Sequence, residues 1–389
     1  MPQYRTRTTC RPALPCTALA LGAVLAACGP DAPSGNGSNL PGAEQRENAR
    51  LTLTELFRTD ESVALTAVQG VDVDSRGQLY IGDWGNPAVI VLSPEGRMVR
   101  RIGGKGQGPG EFANISGVQV LPGDSLQVYD VQQDRLTVFA PGGDEVAYTV
   151  DMSAEGGIAH GVQRVPGTDR LVAVYRRPFD SRESSGADAG RSDVVRVLTV
   201  GRQTVRDSLL VYPSPEALVL RAAGAVSVTG NPFGRQAIVR VGSDGRVYHA
   251  YTDTLAVRVT TLDGKSAGGF TLRNDAPQVT DEDVARAVTA LGPRGARFRS
   301  AVEEAAPRTW PAMRTFVMDD RGRAWIGLPS AEGQPSEWLV YQADGRFVGS
   351  AQLPAGSTVM RVAGSRLIAL YTDELDVPRL VAYRVDDAR

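Results

Sequence analysis

Residues 70–104 read GVDVDSRGQLYIGDWGNPAVIVLSPEGRMVRRIGG, and the pattern returns at 117–150 as GVQVLPGDSLQVYDVQQDRLTVFAPGGDEVAYTV. Each stretch holds four short segments in which apolar and polar residues alternate, parted by clusters of Gly, Pro, Asp and Ser. Alternation marks strands and the clusters mark turns, so each stretch reads as a four-stranded antiparallel meander. The repeat length is about 45 residues, within the range of a propeller blade. A third copy begins at Gly161 and resumes after an insertion as DVVRVLTVGRQTVRDSLL from Asp193. More divergent copies start at Ala237 and Thr315, and the last, from Val359, supplies only three strands. RLTLTELF, Arg50 to Phe57, is the candidate for the missing fourth, and its pairing there would close the ring. The expected fold is all-β: a six-bladed β-propeller of four-stranded antiparallel blades over 50–389.

One stretch departs from the strand pattern. Thr280 to Pro307 opens with a helix-start pair, Thr280 and Asp283, followed by Val284, Val288 and Leu291 at helical spacing. Gly292 and Pro293 end that helix, and Phe298 with Val302 suggests a second. The spacing predicts a helical insertion, 280–307, between blades four and five.

GGKGQGPGEF, residues 103–112, has the glycine content of a phosphate-binding loop. Such a loop follows a strand and opens a helix, whose N-terminus faces the anion. Here the flanking ANISGVQVLPGDSLQVYD is strand-like, and Lys105 is followed by Gly106 rather than Ser or Thr. The stretch reads as a connector between two sheets. Together with SGVQV, LQVYD and DRLTVFAPGG, it resembles the NHL repeat and the related six-bladed propeller lipoproteins of bacteria. The likeness is close over Val68 to Val150 and continues beyond only as strand pattern. It implies that the glycine-rich stretch crosses from the outer strand of one blade to the inner strand of the next. It also implies a turn-fixing role for Asp83 and Asp130, each at the end of a second strand.

The N-terminus has a different composition. Arg5, Arg7 and Arg11 precede the apolar run ALPCTALALGAVLAAC, which is short for a membrane span. Its end, Leu25-Ala26-Ala27-Cys28, resembles the lipobox of bacterial lipoprotein signal peptides. That likeness implies removal of residues 1–27, acylation of Cys28 and a place in the cell envelope, held to the membrane through the lipid alone. An ordinary secretory leader is the alternative. Residues 28–49, rich in Pro, Gly, Ser and Asn at their start, read as a flexible tether. All three cysteines lie in the first 28 residues, so the propeller has no disulfide, thiolate metal site or cysteine nucleophile. The leader carries three of the 42 basic residues and none of the 44 acidic ones, leaving the rest at a formal −5. That balance argues against nucleic acid as a partner.

Topology locates the functional face. In a four-stranded meander the first and third turns share one end of the blade, and here they are short: DSRG, LPGD, SDG, DDRG. The second turns and the blade-to-blade connections share the other end, and the long segments fall there. Binding usually resides on such loops held by a rigid scaffold. On that face Lys105, Arg176, Arg177, Arg294 and Arg297 are candidates to meet an anionic ligand, and Trp84 and Trp310 to stack on one. No catalytic residue is assigned, since no GxSxG stretch is present. Only His160 and His249 occur, so a three-histidine metal site is impossible. No cofactor is predicted, although a carboxylate-held divalent cation such as calcium in the channel remains open. The expected function is binding, of a small-molecule ligand or an envelope protein. The alternative is a metal-dependent lyase or lactonase on the same ring.

Overall fold

The computed structural model describes residues 38–386 except 144, 154–156, 178–190, 202, 223–224, 293–294, 332, 374 and 376. Six four-stranded antiparallel blades form the ring. Their inner strands are Val68–Val73, Ile115–Val120, Ile158–Arg164, Ala237–Val241, Thr315–Met318 and Thr358–Ala363. These strands neighbour one another in sequence order around the ring, and the last returns to the first. The middle strands of the blades are mostly buried, wholly so in Leu79–Asp83 and Ala88–Leu92, because each blade is packed on both faces.

The cores lie between blades. Tyr80, Val89 and Val91 of blade one pack with Ile115, Leu126 and Val128 of blade two. Tyr248 and Val257 of blade four pack with Phe316, Ile326 and Tyr341 of blade five. Such seams bury apolar side chains at about 25 cal/mol per Å², and every blade but the last to be completed could be built from consecutive strands.

Blade six is completed by the N-terminal strand, as expected. Thr52–Arg58 pairs antiparallel with Pro378–Asp386, running from Thr52 opposite Asp386 to Arg58 opposite Val381. Thr59 locks the end of the pairing, its N–H donating to Leu380 O and its hydroxyl accepting from Leu380 N, both at 2.9 Å.

The segment just upstream, assigned to the tether by composition, is placed on the outer rim from Ser38 onward. Ser38 and Asn39 pair in parallel with Leu272 and Arg273 on the outer strand of blade four. Helix α1, Ala43–Asn48, then passes the outer strand of blade five, where Ser350 Oγ donates to Arg46 O at 2.7 Å and Leu51 N donates to Ser350 O at 2.8 Å. Polar composition hid this because backbone groups, rather than apolar side chains, make most of these contacts.

Two insertions with secondary structure leave the ring among the described residues. Helices α2, Asp281–Ala290, and α3, Arg299–Ala305, lie between blades four and five as predicted. A two-stranded hairpin, Ala217–Ala222 with Ala225–Gly230, lies between blades three and four, in a stretch to which the repeat assigns no strand.

Candidate functional site

The loop at 103–112 turns a corner. Gly103 and Gly110 hold φ of +72° and +76°, and a Cβ at Gly103 would stand 2.4 Å from Gly110 O. Several of its amides are spent internally: Phe112 N donates to Gly104 O at 2.8 Å, Gly106 N to Phe112 O at 3.0 Å, and Gly108 N to the Glu111 carboxylate at 2.8 Å. Phe112, fully buried, plugs the seam below, while Arg135 and Gln133 donate to the loop carbonyls. The N–H groups of Gly106, Gly108 and Phe112 are thus taken up within the loop.

Asp83 and Asp130 fix turns. Asp83 accepts from Thr66 N and Oγ1 and from Ala67 and Gly85 N; Asp130 accepts from Ala113, Asn114, Gln132 and Gln133 N. In blade three the same strand end carries Arg176, which forms a two-pronged pair with Asp193 at 2.7 and 2.9 Å. Arg176 is thus committed to a neighbouring strand, whereas Arg177 is exposed.

The other candidates are dispersed on the long-loop face. Trp84 is 44% exposed at the second turn of blade one. Lys105 is exposed in the glycine-rich loop, and Arg297 stacks its guanidinium 4.5 Å from the Phe298 ring centroid. Arg294 lies outside the described residues, as does Cys28. Trp310 lines a cavity.

That cavity is made by the two insertions together. Leu218, Leu220 and Phe233 from the hairpin segment share one apolar cluster with Val284, Val288 and Val302 from the helices. Phe233 and Trp310 meet edge to face, ring centroids 5.0 Å apart. Polar bonds join the same two segments: Asn231 Nδ2 donates to Ala305 O at 3.2 Å and Arg235 Nη2 to Thr309 O at 3.1 Å. The result is a cap with its own small core, built from segments separated by blade four.

Asp283 organises the cap. It closes a capping box with Thr280, accepting from Thr280 N at 2.9 Å while its own N–H donates to Thr280 Oγ1 at 3.2 Å. The same carboxylate accepts from Trp310 Nε1 at 3.2 Å and pairs with Arg286. It therefore fixes the indole and a guanidinium at the opening of a cleft of about 790 Å³.

The cleft runs between cap and ring. Phe233, Arg235, Arg286 and Trp310 line it from the cap, and Arg314 and Ser330 from blade five. Glu216 stands 3.9 Å from Arg235, but Arg314 is exposed and has no ion pair among the described residues. Arg286 pairs with Glu282 as well as Asp283, so Arg314 is the guanidinium left for a ligand, and an aromatic wall beside it suits one with a flat or apolar body and a negative group. Sequence reasoning found Trp310 and missed Arg235, Arg286 and Arg314, which only the folding of the hairpin onto the helices brings together.

His160 sits at a bulge of its inner strand, between Ala159 and Gly161, and is exposed. His249 is buried against Tyr212 and Thr260. Among the described residues, no three His, Cys, Asp or Glu side chains gather in a group suited to a metal ion.

Comparison with known proteins agrees on architecture. A family model described as 6-bladed beta-propeller (DUF5128) matches residues 56–152. A search of the curated proteins finds no match. Among solved structures, a Bacteroides fragilis protein described as exported is similar at 13% identity and a TM-score of 0.53, over 90% of this chain and 98% of that one. Regucalcin from Agrobacterium tumefaciens, a calcium-binding protein, aligns at 12% identity and a TM-score of 0.45, over 87% and 96%. Virginiamycin B lyase from Staphylococcus aureus aligns at 9% identity and a TM-score of 0.40, over 86% and 98%. At these identities the likeness concerns the fold alone.

Proposed function

We propose that this chain is a lipid-anchored binding protein of the bacterial cell envelope, and that its ligand is a small molecule held in the cleft beneath the cap. The observation that carries this reading is the cleft itself. Its volume, about 790 Å³, is that of a small-molecule site, and its aromatic and basic groups are positioned by hydrogen bonds within the cap. The anchor rests on the lipobox-like Leu25 to Cys28. Among the described residues, no helix is long and apolar enough to cross a membrane. The alternative, a metal-dependent lyase or lactonase, draws no support from the side chains that line the cleft: Asp283 is already shared among Thr280, Trp310 and Arg286.

Native mass spectrometry of protein purified from envelopes tests the reading. Wild type should carry a bound small molecule that Trp310→Ala and Arg314→Ala lose. Arg76→Ala, on the short-turn face, should keep it. A bound mass indifferent to Trp310 and Arg314, or lost with Arg76, would overturn the assignment.

A further inference from the structure

The channel wall carries a repeated hydrogen-bond device. One register position recurs near the end of the inner strands: Asp72 opposite Tyr80, Gln119 opposite Gln127, Gln163 opposite Val172, Arg240 opposite Tyr248 and Val317 opposite Trp325. The next residue in each strand is Val73, Val120, Arg164, Val241 or Met318. Beyond it, Asp74, Leu121, Val165, Gly242 and Asp319 donate the last ladder bond across the turn. In antiparallel pairing the residue before such a bond turns its N–H away from the partner strand. In an inner strand that direction is the channel, so each of these five residues turns its N–H inward.

Four of these five N–H groups are capped by side chains. Asp72 accepts from Val120 at 2.8 Å, Gln119 from Arg164 at 2.7 Å, and Gln163 from Val241 at 2.9 Å, each reaching from one blade to the next. The amides of both glutamines also donate onward, to Arg164 O and Val239 O at 3.0 Å. Val73 is capped at 2.9 Å by its neighbour Asp72, because Arg361 of blade six has no acceptor to offer and pairs with Asp72 instead, at 2.8 Å.

The cross-blade cap stops after blade four, where the equivalent residues are Arg240, Val317 and Arg361, and at the seam of blades four and five it is replaced by a cation. Arg240 stands where the acceptor belongs, and a guanidinium has donors only. Its one hydrogen bond among the described residues runs from Nη1 to Val239 O at 3.0 Å. No carboxylate pairs with it, and Asp72 is occupied by Val73, Val120 and Arg361. Met318 N finds no side-chain acceptor among the described residues, and Met318 O accepts from Arg361 Nη1 at 3.5 Å. The guanidinium is partly exposed to channel solvent, yet protein surrounds it, and this desolvation lowers its pKa. By register Arg240 holds the place from which an acceptor would meet Met318 N, and it has no ion pair among the described residues.

We propose that a small oxyanion, bearing a phosphate or carboxylate group, binds in the channel between Arg240 and the Met318 N–H. It supplies the acceptor that Asp72, Gln119 and Gln163 supply at the three seams from blade one to blade four. The site lies toward the short-turn end of the channel, apart from the cleft under the cap, and stands whether or not the cleft binds its ligand.

Thermal unfolding of the full chain tests it, with millimolar inorganic phosphate or acetate titrated at constant ionic strength. The wild-type midpoint should rise by a few degrees with one or both anions, and which one acts identifies the preferred group. Arg240→Gln should abolish the rise, since a glutamine there can hook Met318 N as Gln119 and Gln163 hook their partners. Arg240→Lys, which keeps the charge, should retain it. A rise that persists in Arg240→Gln, or a wild-type chain indifferent to both anions, overturns the proposal. Should Arg240→Gln fail to fold, the wild-type and Arg240→Lys titrations decide it.

Discussion

The Tyr212 hydroxyl lies 2.5 Å from His249 Nδ1 in the buried seam between blades three and four, and His249 Nε2 lies 2.7 Å from Thr260 Oγ1. Both ring nitrogens are therefore used by neutral partners, and the imidazole is 1% exposed. Burial, with Arg258 adding repulsion, lowers the His249 pKa from 6.5 to about 4. The unfolded chain thus binds a proton near pH 6.5 that the folded chain takes up only near pH 4. Stability from this group is full above pH 6.5 and declines as pH falls toward 4, by about 3 kcal/mol at most. Replacing His249 with Gln should lower the midpoint at pH 7.5 and flatten its decline between pH 6.5 and 4. Calorimetric scans across that range read both effects. An unchanged slope in the variant would assign the acid sensitivity to other groups.

The ring's closure predicts a second outcome. Without residues 50–57, the Pro378–Asp386 strand would expose its outer edge, and Leu51 (3% exposed), Leu53 and Phe57 would leave the clusters they pack against. Each buried side chain of this kind contributes about 1.5–3 kcal/mol, so the loss should amount to several kcal/mol. Thermal unfolding of the chain with and without these residues measures it. Equal midpoints would mean that the strand decorates the ring without closing it.

What was legible in the sequence followed from local periodicity. Strand alternation in residues 70–104 and 117–150 fixed the blade, and Thr280 with Asp283 marked the start of α2, because both signals act within a few residues. The hairpin at 217–230 was missed although ALVLRAAGAVSVTG alternates weakly, since its apolar face meets the helices more than sixty residues away. Asp72, Gln119 and Gln163 were equally silent. A polar residue in a period-two strand looks solvent-facing, and nothing local says that its oxygen will take an N–H of the next blade. Arg314 belongs to the same class, because its place beside Trp310 depends on how the cap sits.

The anchor makes a prediction at the N-terminus. Two acyl chains hold a protein on a bilayer far better than one, so modification of Cys28 should leave the chain in the membrane fraction. Cys28→Ala should shift it to the soluble fraction or the uncleaved precursor. Mass spectrometry of the mature N-terminus checks the chemistry, and an unmodified start elsewhere would favour an ordinary secretory leader. The rim contacts of Ser38, Asn39 and Ser350 should be unaffected, so the variant should keep its unfolding midpoint.

The cap predicts that its two insertions stand or fall together. Both are closed at the base by the ring: Trp310 N donates to Pro277 O at 2.8 Å, and Glu216 N donates to Arg235 O at 3.0 Å. Short Gly-Ser bridges can therefore replace 278–309 and 217–234 without straining the blades. Removing the helices alone would strip the cover from Leu218, Leu220 and Phe233, and removing the hairpin alone would do the same to Val284, Val288 and Val302. Each single deletion should lower the unfolding midpoint and promote aggregation, whereas the double deletion should restore a midpoint near that of the wild type. The double deletion should also abolish binding in the cleft, because Trp310, Arg286 and their organiser Asp283 are all disturbed or gone. Light scattering during thermal unfolding separates the three proteins. If the chain lacking only the helices melts like the wild type and stays monomeric, the hairpin does not depend on them, and the cap is two independent loops.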